Sequence, residues 1–326
     1  MTEYFLAWWN LENLFDVEDS PHRPEWLQSR LSKELKGWDE NILDKKLNQL
    51  VSVLSRMNNN QGPDLLGVCE VENKVVLDKL VQKLSPLNRN YGTVHHDTSY
   101  LRGIDVAFIY DQDKFSSGRQ FYYVVLKRSA TRDIVQENFK FKQSGNSLIV
   151  FGNHWPSRSA GEYESEPYRI LAAETLSYWI EQLKEFKGHD IPIIIMGDFN
   201  DQPFNRSLTE YALSTNSAVK VKNSRIHRLF NLMWPLLGAA QGTFFYNNFP
   251  LMIDQFLISK GFLKSDSPLH IKHDSVKIES YPEMSATGKY HYPIRFGRPS
   301  SKLNTAGFSD HFPISICITE KDYNFD

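Results

Sequence analysis

The stretch IPIIIMGDFND, Ile191 to Asp201, runs four isoleucines and a methionine straight into Gly197, Asp198, Asn200 and Asp201. An apolar run of this kind reads as a strand buried on both faces. Burial does not explain why it ends on two carboxylates and an amide. Taken alone, Asp-Phe-Asn is a turn signal, since Asp and Asn side chains bond their own backbone. The ending recurs, however. The strand Tyr4–Trp9 runs into Asn10, Glu12 and Asn13 (WWNLENLFD), and Leu65–Cys69 runs into Glu70 (DLLGVCEVEN). Leu148–Gly152 runs into Asn153 and His154 (VFGNHWPSR). Met252–Ile258 carries Asp254 near its start, and Ser309, Asp310 and His311 precede Phe312–Ile318. Turns do not require one chemical set at every strand boundary. A shared sheet rim, where a rigid scaffold makes side chains converge, does. Asp254 is the sharpest case: a carboxylate inside a strand must be paired, and His311 is its expected partner.

Between the strands lie helical patterns. Asn41–Met57 places Ile42, Leu43, Leu47, Leu50, Val51, Leu54 and Met57 on one stripe, and Val75–Leu84 repeats this more briefly. A longer helix is expected over Tyr168–Phe186, with Pro167 in its first turn. Strands outnumber helices and several are consecutive, including Val106–Tyr110 and Phe121–Leu126. That favours an α/β layered sandwich over an alternating barrel. No repeat or linker divides the chain, so residues 1–326 are read as one domain. Ala218–Arg228 is basic, and Tyr281–Gly307 reads as a long loop of the kind that often carries function.

The 326 residues are 41% hydrophobic and 13% aromatic, which excludes a disordered or fibrous chain. A net charge of -2 means that any nucleic-acid binding must come from local patches. Cys69 and Cys317 sit in apolar runs and read as core thiols, and two cysteines make no disulfide framework. No stretch reaches the roughly 18 apolar residues of a membrane span. The expectation is a soluble, cytoplasmic monomer. Carboxylates and amides without a cysteine cluster suit a hard cation, Mg²⁺ with Mn²⁺ as substitute, rather than Zn²⁺. Two histidines and a spare carboxylate remain for proton transfer, which is equipment for metal-assisted hydrolysis of a phosphate ester.

Taken in order, from WWNLENLF to SDHFPI, these segments resemble the endonuclease/exonuclease/phosphatase superfamily. This is the group of deoxyribonuclease I, abasic-site endonucleases, neutral sphingomyelinases and inositol polyphosphate 5-phosphatases. The resemblance implies a deoxyribonuclease I-like, four-layer α/β sandwich of two packed mixed β-sheets flanked by helices. It implies Glu70 as main metal ligand with Glu12 and Asp310 near the metal, and Asn10 and Asn200 holding the phosphate. Asp198 would orient or deprotonate the attacking water, and Asp254 would pair with His311 at the scissile phosphate. Where the abasic-site enzymes have a tyrosine, this chain has His154, and NHWPSR, GTFFYNN and MIDQFLIS resemble a bacterial histidine-bearing branch. His154 is expected to protonate the departing alkoxide.

Arg102, Arg158, Arg169, Arg295 and Arg298 lie in or near the expected site loops. Arg158 and Arg169 are expected to grip a phosphate bidentately. Phe244, Phe245 and Phe249 either pack in the core or form an apolar lip. The sequence thus points to a metal-dependent phosphodiesterase attacking by in-line water, a nuclease on DNA or RNA. The alternatives are a phosphatase or phosphodiesterase of a small phosphate ester or inositol phosphate, and an inactive binding module that keeps the fold.

Overall fold

The isoleucine run that opens the question forms the central strand, Ile193–Asp198, of a seven-stranded mixed sheet. The structure is a computed structural model and describes residues 1–321. From edge to edge this sheet runs Phe115–Tyr123, Ile134–Phe141, Ser147–His154, Ile193–Asp198, Asp254–Ile258, Leu229–Asn231 and Ser214–Thr215. A second seven-stranded sheet runs Leu269–Ile271, Ile314–Glu320, Thr2–Leu14, Leu65–Val71, Asp105–Asp111 and Tyr91–His95, with Lys277–Ile278 also paired to Ile314–Glu320.

Period-two alternation explains why the run is apolar throughout. Ile194 and Met196 enter the core between the sheets, beside Trp8, Phe108, Val150, Phe256 and Ile316. Ile193 and Ile195 face the other way, under Ala172, Ala173, Leu176 and Ile180 of the helix Glu162–Lys187. On the far side, Leu43, Leu47, Leu50 and Leu54 of the helix Glu40–Asn60 and Val76, Leu77 and Leu80 of Lys74–Lys83 cover the second sheet. The layers are therefore helix, sheet, sheet, helix. Asp39 caps Glu40–Asn60 by accepting from the Ile42 amide, and the regular helix ends where Asn58, Asn59 and Asn60 turn left-handed.

Some boundaries differ from expectation. The long helix begins at Glu162, five residues before Pro167, so Pro167 sits inside it rather than in its first turn. The strand expected over Phe121–Leu126 is Phe115–Tyr123, because pairing with its neighbour ends at Tyr123–Ile134 and leaves Val124 and Leu126 exposed. Cys69 is buried, Cys317 is half-buried, and both are free thiols. Among the described residues no helix is long and apolar enough to cross a membrane.

The glycine before the carboxylates has a steric reason. A Cβ on Gly197 would stand 2.5 Å from the backbone oxygen of Asn153 on the parallel neighbour strand. Only a bare Cα lets these two strand ends lie side by side. Gly197→Ala is expected to destabilise the protein by ~1–3 kcal/mol, the usual cost of overpacking. Urea denaturation measures this; an unchanged midpoint would show that the strands can part at no cost.

Candidate active site

Register does the first part of the assembly. His154 lies opposite Asp198, and Asp198 opposite Asp254, so three chemically active side chains sit in a row at one rim of the sheet. The second sheet contributes Asn10 from Thr2–Leu14 and Glu70 from Leu65–Val71. Where these two strands pair, the register shifts, and Glu70 stands at φ 63°. Glu12 (φ 50°), Asn13 (φ 58°) and Asn200 (φ 51°) are also left-handed. Residues with a Cβ adopt this region at a cost, and such costs collect at functional sites.

Asn10 ties the two sheets together. Its amide nitrogen donates to Asp198 Oδ2 at 3.1 Å and lies 3.5 Å from Glu70 Oε1, while its oxygen accepts from the Glu12 amide. Glu70 Oε2 accepts from the Asn13 amide at 2.9 Å. Asp198 Oδ1 accepts from the Asn200 amide, and Asn200 Nδ2 donates to the Trp155 carbonyl.

Asp254 is fully buried and has both oxygens engaged. Trp8 Nε1 donates to Oδ1 at 3.0 Å, and His311 Nδ1 lies 2.7 Å from Oδ2. The Ser309 hydroxyl pins the His311 loop to the Asn10 carbonyl, and Trp9 Nε1 donates to the His311 carbonyl. Burial alone would lower the His311 pKa, but Asp254, Asp198 and Asp310 raise it well above its ordinary value. The ring is therefore an imidazolium, with Nε2 directed between Asp198 (3.9 Å) and Asp310 (4.0 Å).

The carboxylates crowd one another. Burial and Asp254 push the Asp198 pKa up to about 7. Burial and Glu12 push that of Asp310 up to about 7, with Glu70 adding to the effect. Beneath them lies Lys46, fully buried, donating to the Phe308 carbonyl at 2.6 Å. Burial lowers its pKa to about 8 although Glu12, Asp310 and Glu70 all favour its charge.

The structure bears on four sequence expectations. Glu12 anchors the long loop, its oxygens accepting from Arg295 Nε (2.9 Å) and from the Phe296 and Gly297 amides, while its charge lies close enough to raise the Asp310 pKa. Arg169 has no exposed surface and pairs with Asp201 at 2.8 Å, which leaves it unable to grip a phosphate. Arg158 is spent on the Asn200 carbonyl, Asp201, Asn205 and Glu162. Both arginines brace the Asn200–Asn205 turn instead. His154, 3.6 Å from Asp198 and 3.8 Å from Glu70, is in place, but burial and then Arg132 hold its pKa well below the ordinary value. A ring held toward its neutral form is a weaker proton donor to a departing alkoxide.

Arg132 and Lys46 escaped sequence reading. Lys46 looks like any lysine on a helix, and only tertiary packing buries it. Arg132 sits in a loop before a strand, with no periodicity to mark it. The apolar residues divide: Phe245 packs partly into the core, Phe244 leans on His311 with ring centres 4.9 Å apart, and Phe249 is exposed.

The donors available to a cation are oxygens. Glu70 and Asp310 are the more open carboxylates, with side chains 13% and 29% exposed. Asp198, Asp254 and His311 are also close enough to share an ion, but Asp254 has both oxygens taken and His311 is charged. The Cys69 thiol is buried and its pKa is pushed well up, first by burial, so it offers no thiolate. A hard dication at Glu70 and Asp310 fits this set and would relieve the crowding of charge.

Comparisons with known proteins bear on the family and the fold. Residues 5–320 match the Endonuclease/Exonuclease/phosphatase family. No curated protein sequence matches the chain. Among solved structures, a Bacteroides thetaiotaomicron mannosyl-6-phosphatase aligns with TM-score 0.56 at 18% identity, covering 97% of this chain and 99% of that one. D. rerio TDP2 complexed with single strand DNA product aligns with TM-score 0.58 at 13% identity, covering 98% and 100%. ANGEL2, a 2',3'-cyclic phosphatase, aligns with TM-score 0.61 at 12% identity, covering 97% and 95%. At these identities the neighbours share the two-sheet fold with this chain. The family match spans nearly the whole sequence, and the chain belongs to the Endonuclease/Exonuclease/phosphatase family, a family of phosphoester hydrolases.

Proposed function

We propose that this chain hydrolyses phosphodiester bonds with Mg²⁺ or Mn²⁺ and that its substrate is a nucleic acid strand. The observation that carries the reading is the buried Asp254–His311 pair, which holds an imidazolium between Asp198 and Asp310. Glu70 and Asp310 would hold the cation. When bound, the cation offsets charge on the phosphoryl oxygens. His311 donates from Nε2 to a non-bridging phosphate oxygen. Asp198, fixed by Asn10 and the Asn200 amide, orients the attacking water and accepts its proton. Neutral His154 offers a hydrogen bond from the opposite strand.

A trough lined in part by Phe245 and Phe312 supports a nucleic acid over a small ester. The hairpin Phe244–Leu251 and residues 278–291 enclose about 980 Å³. Lys289 and His291 line the trough, and no carboxylate of the described residues does. Phe249 and Tyr290 in its wall are exposed. Aromatic faces with scattered cations suit the stacked bases of a single strand. The net charge of -2 favours the second reading, a small phosphate ester. Steady-state hydrolysis of a single-stranded oligonucleotide across salt concentrations separates the two. A strand must displace counterions, with a slope of roughly -0.7 per phosphate contact in log K against log salt. A flat dependence, or turnover of small monoesters alone, assigns the second reading.

Metal binding should depend on pH. Asp198 and Asp310 have pKa values raised to about 7. The cation favours the ionised carboxylates, so affinity should rise as pH passes up through about 7, with protons released to buffer below it. Calorimetric Mg²⁺ titration in two buffers measures both effects. Glu70→Gln should cost more than the roughly 10–100-fold seen when a ligand's supporting partner is lost. Affinity independent of pH, or unchanged in Glu70→Gln, would remove this site.

His154→Ala is expected to cost a similar factor on an alkyl phosphodiester and on a p-nitrophenyl diester. A general acid would instead matter only for the alkoxide, by about 10²–10⁴. A loss of that size confined to the alkyl substrate would restore the general-acid role.

A further inference from the structure

The basic stretch Ala218–Arg228 takes no part in the active site. It lies at the other end of the same strands. Ile193–Asp198 ends on Asp198 at the catalytic rim and begins beside this stretch, and Asp254–Ile258 runs from that rim back to Ser259 and Lys260. At ~3.3 Å per residue the two ends of Ile193–Asp198 stand about 17 Å apart. Here a cavity of about 410 Å³ opens between the last turns of the helix Glu162–Lys187, residues 224–229 and residues 259–260.

The cavity has an apolar floor, in which Ile180, Ile193, Val221 and Leu229 are all buried. Its rim is cationic. Lys184, Arg225, Arg228 and Lys260 line it, against one carboxylate among the described residues, Asp190, which Lys264 takes. Lys184 is spent on Glu181 at 3.1 Å. The side chains of Arg225, Arg228 and Lys260 make no ion pair and no hydrogen bond among the described residues. Cations elsewhere on the surface do find acids: Lys74 pairs with Asp78, Arg206 with Glu210 and Lys272 with Glu3. Three cations round one opening repel one another, and an anion between them removes that cost.

His227 supplies a second observation. Its ring is buried and lines the same cavity. Nδ1 lies 2.9 Å from Glu181 Oε2, and a carboxylate only accepts, so Nδ1 carries the proton. Nε2 is buried and has no hydrogen-bond partner among the described residues. Burial lowers the pKa of the ring, Glu181 works against it, and Lys184 and Arg228 lower it further. A negative charge in the cavity would favour the doubly protonated ring.

We infer that this cavity binds a small organic phosphate, its apolar body on the buried floor and its phosphate among Arg225, Arg228 and Lys260. Arginine forks match phosphate oxygens, and three cations without acids suit a dianion. An apolar floor under a few polar groups is the usual build of a small-molecule site, and the volume falls in the usual range of roughly 300–1,000 Å³. The site is separate from the catalytic rim and stands whatever ester the rim hydrolyses.

The test titrates phenylphosphonate, which carries a ring and a dianion and has no ester bond to cleave, into the full chain with Mg²⁺ present. Binding is read by NMR at the histidine rings, so that His227 reports this cavity and His311 the rim. The His227 signals should move and saturate, and the ring should titrate at higher pH in the complex. The double variant Arg225→Gln, Arg228→Gln should weaken binding at His227 by roughly 10- to 100-fold, the usual scale for losing hydrogen bonds to a charged group. Its thermal midpoint should not fall, since neither arginine holds a partner. Lys260→Gln should weaken binding in the same direction, and it serves if the double variant does not fold. Inorganic phosphate should move the same signals only at higher concentration, because it leaves the floor uncovered. Shifts confined to His311, or an affinity at His227 unchanged in the folded variants, overturn the inference. Equal affinity for phosphate and phenylphosphonate overturns the assignment of an organic ligand.

Discussion

The buried Asp254–His311 contact is the interaction on which the site depends. Asp254 starts a strand of one sheet, His311 lies on the loop that enters a strand of the other, and Trp8 of that second sheet donates to the same carboxylate. A fully buried carboxylate is tolerable only because both oxygens are satisfied and a cation faces it. The arrangement fixes the ring orientation, holds the sheets in one relative position at the rim, and directs a protonated nitrogen at Asp198 and Asp310. Breaking one partner strands a charge at the meeting point of both sheets.

From that contact the rest of the site follows as a problem of charge. Four acidic side chains, Glu70, Asp198, Asp254 and Asp310, approach one another, and the apoprotein answers with raised carboxyl pKa values, with the His311 imidazolium and with Lys46 beneath. Opposite them stands Arg132. The proposed dication would relieve this crowding of acidic charge. Its location at a rim, on strand ends held by packing on both faces, gives the precision that phosphoryl transfer requires.

Much of this was written in the sequence because it follows short-range rules. The apolar run at Ile191–Met196 is buried on both faces by simple alternation, and Gly197 is required by the close neighbour Asn153. Asp254 was conspicuous because a strand interior has no place for an unpaired carboxylate. Arginines were the weak point. Arg132, Arg158 and Arg169 look alike in a string of letters, and long side chains choose their partners through tertiary contacts. Asp201 claimed two of them, while Arg132 lies over the Tyr100 ring and against His154. The anchoring of loop 295–297 by Glu12 was not legible, because the two lie 283 residues apart in sequence. The left-handed turn at Glu70 could not be read either, since nothing in a glutamate announces φ 63°.

The protonation of His311 tests the account most directly. The imidazole should be followed by NMR as a function of pH in metal-free wild type and in Asp254→Asn. The account predicts a ring that stays charged well above the ordinary histidine value of roughly 6.5 in wild type. It predicts a clear fall in that pKa once the carboxylate is replaced, together with loss of hydrolysis. A ring that titrates near its ordinary value, or one indifferent to Asp254→Asn, would contradict it.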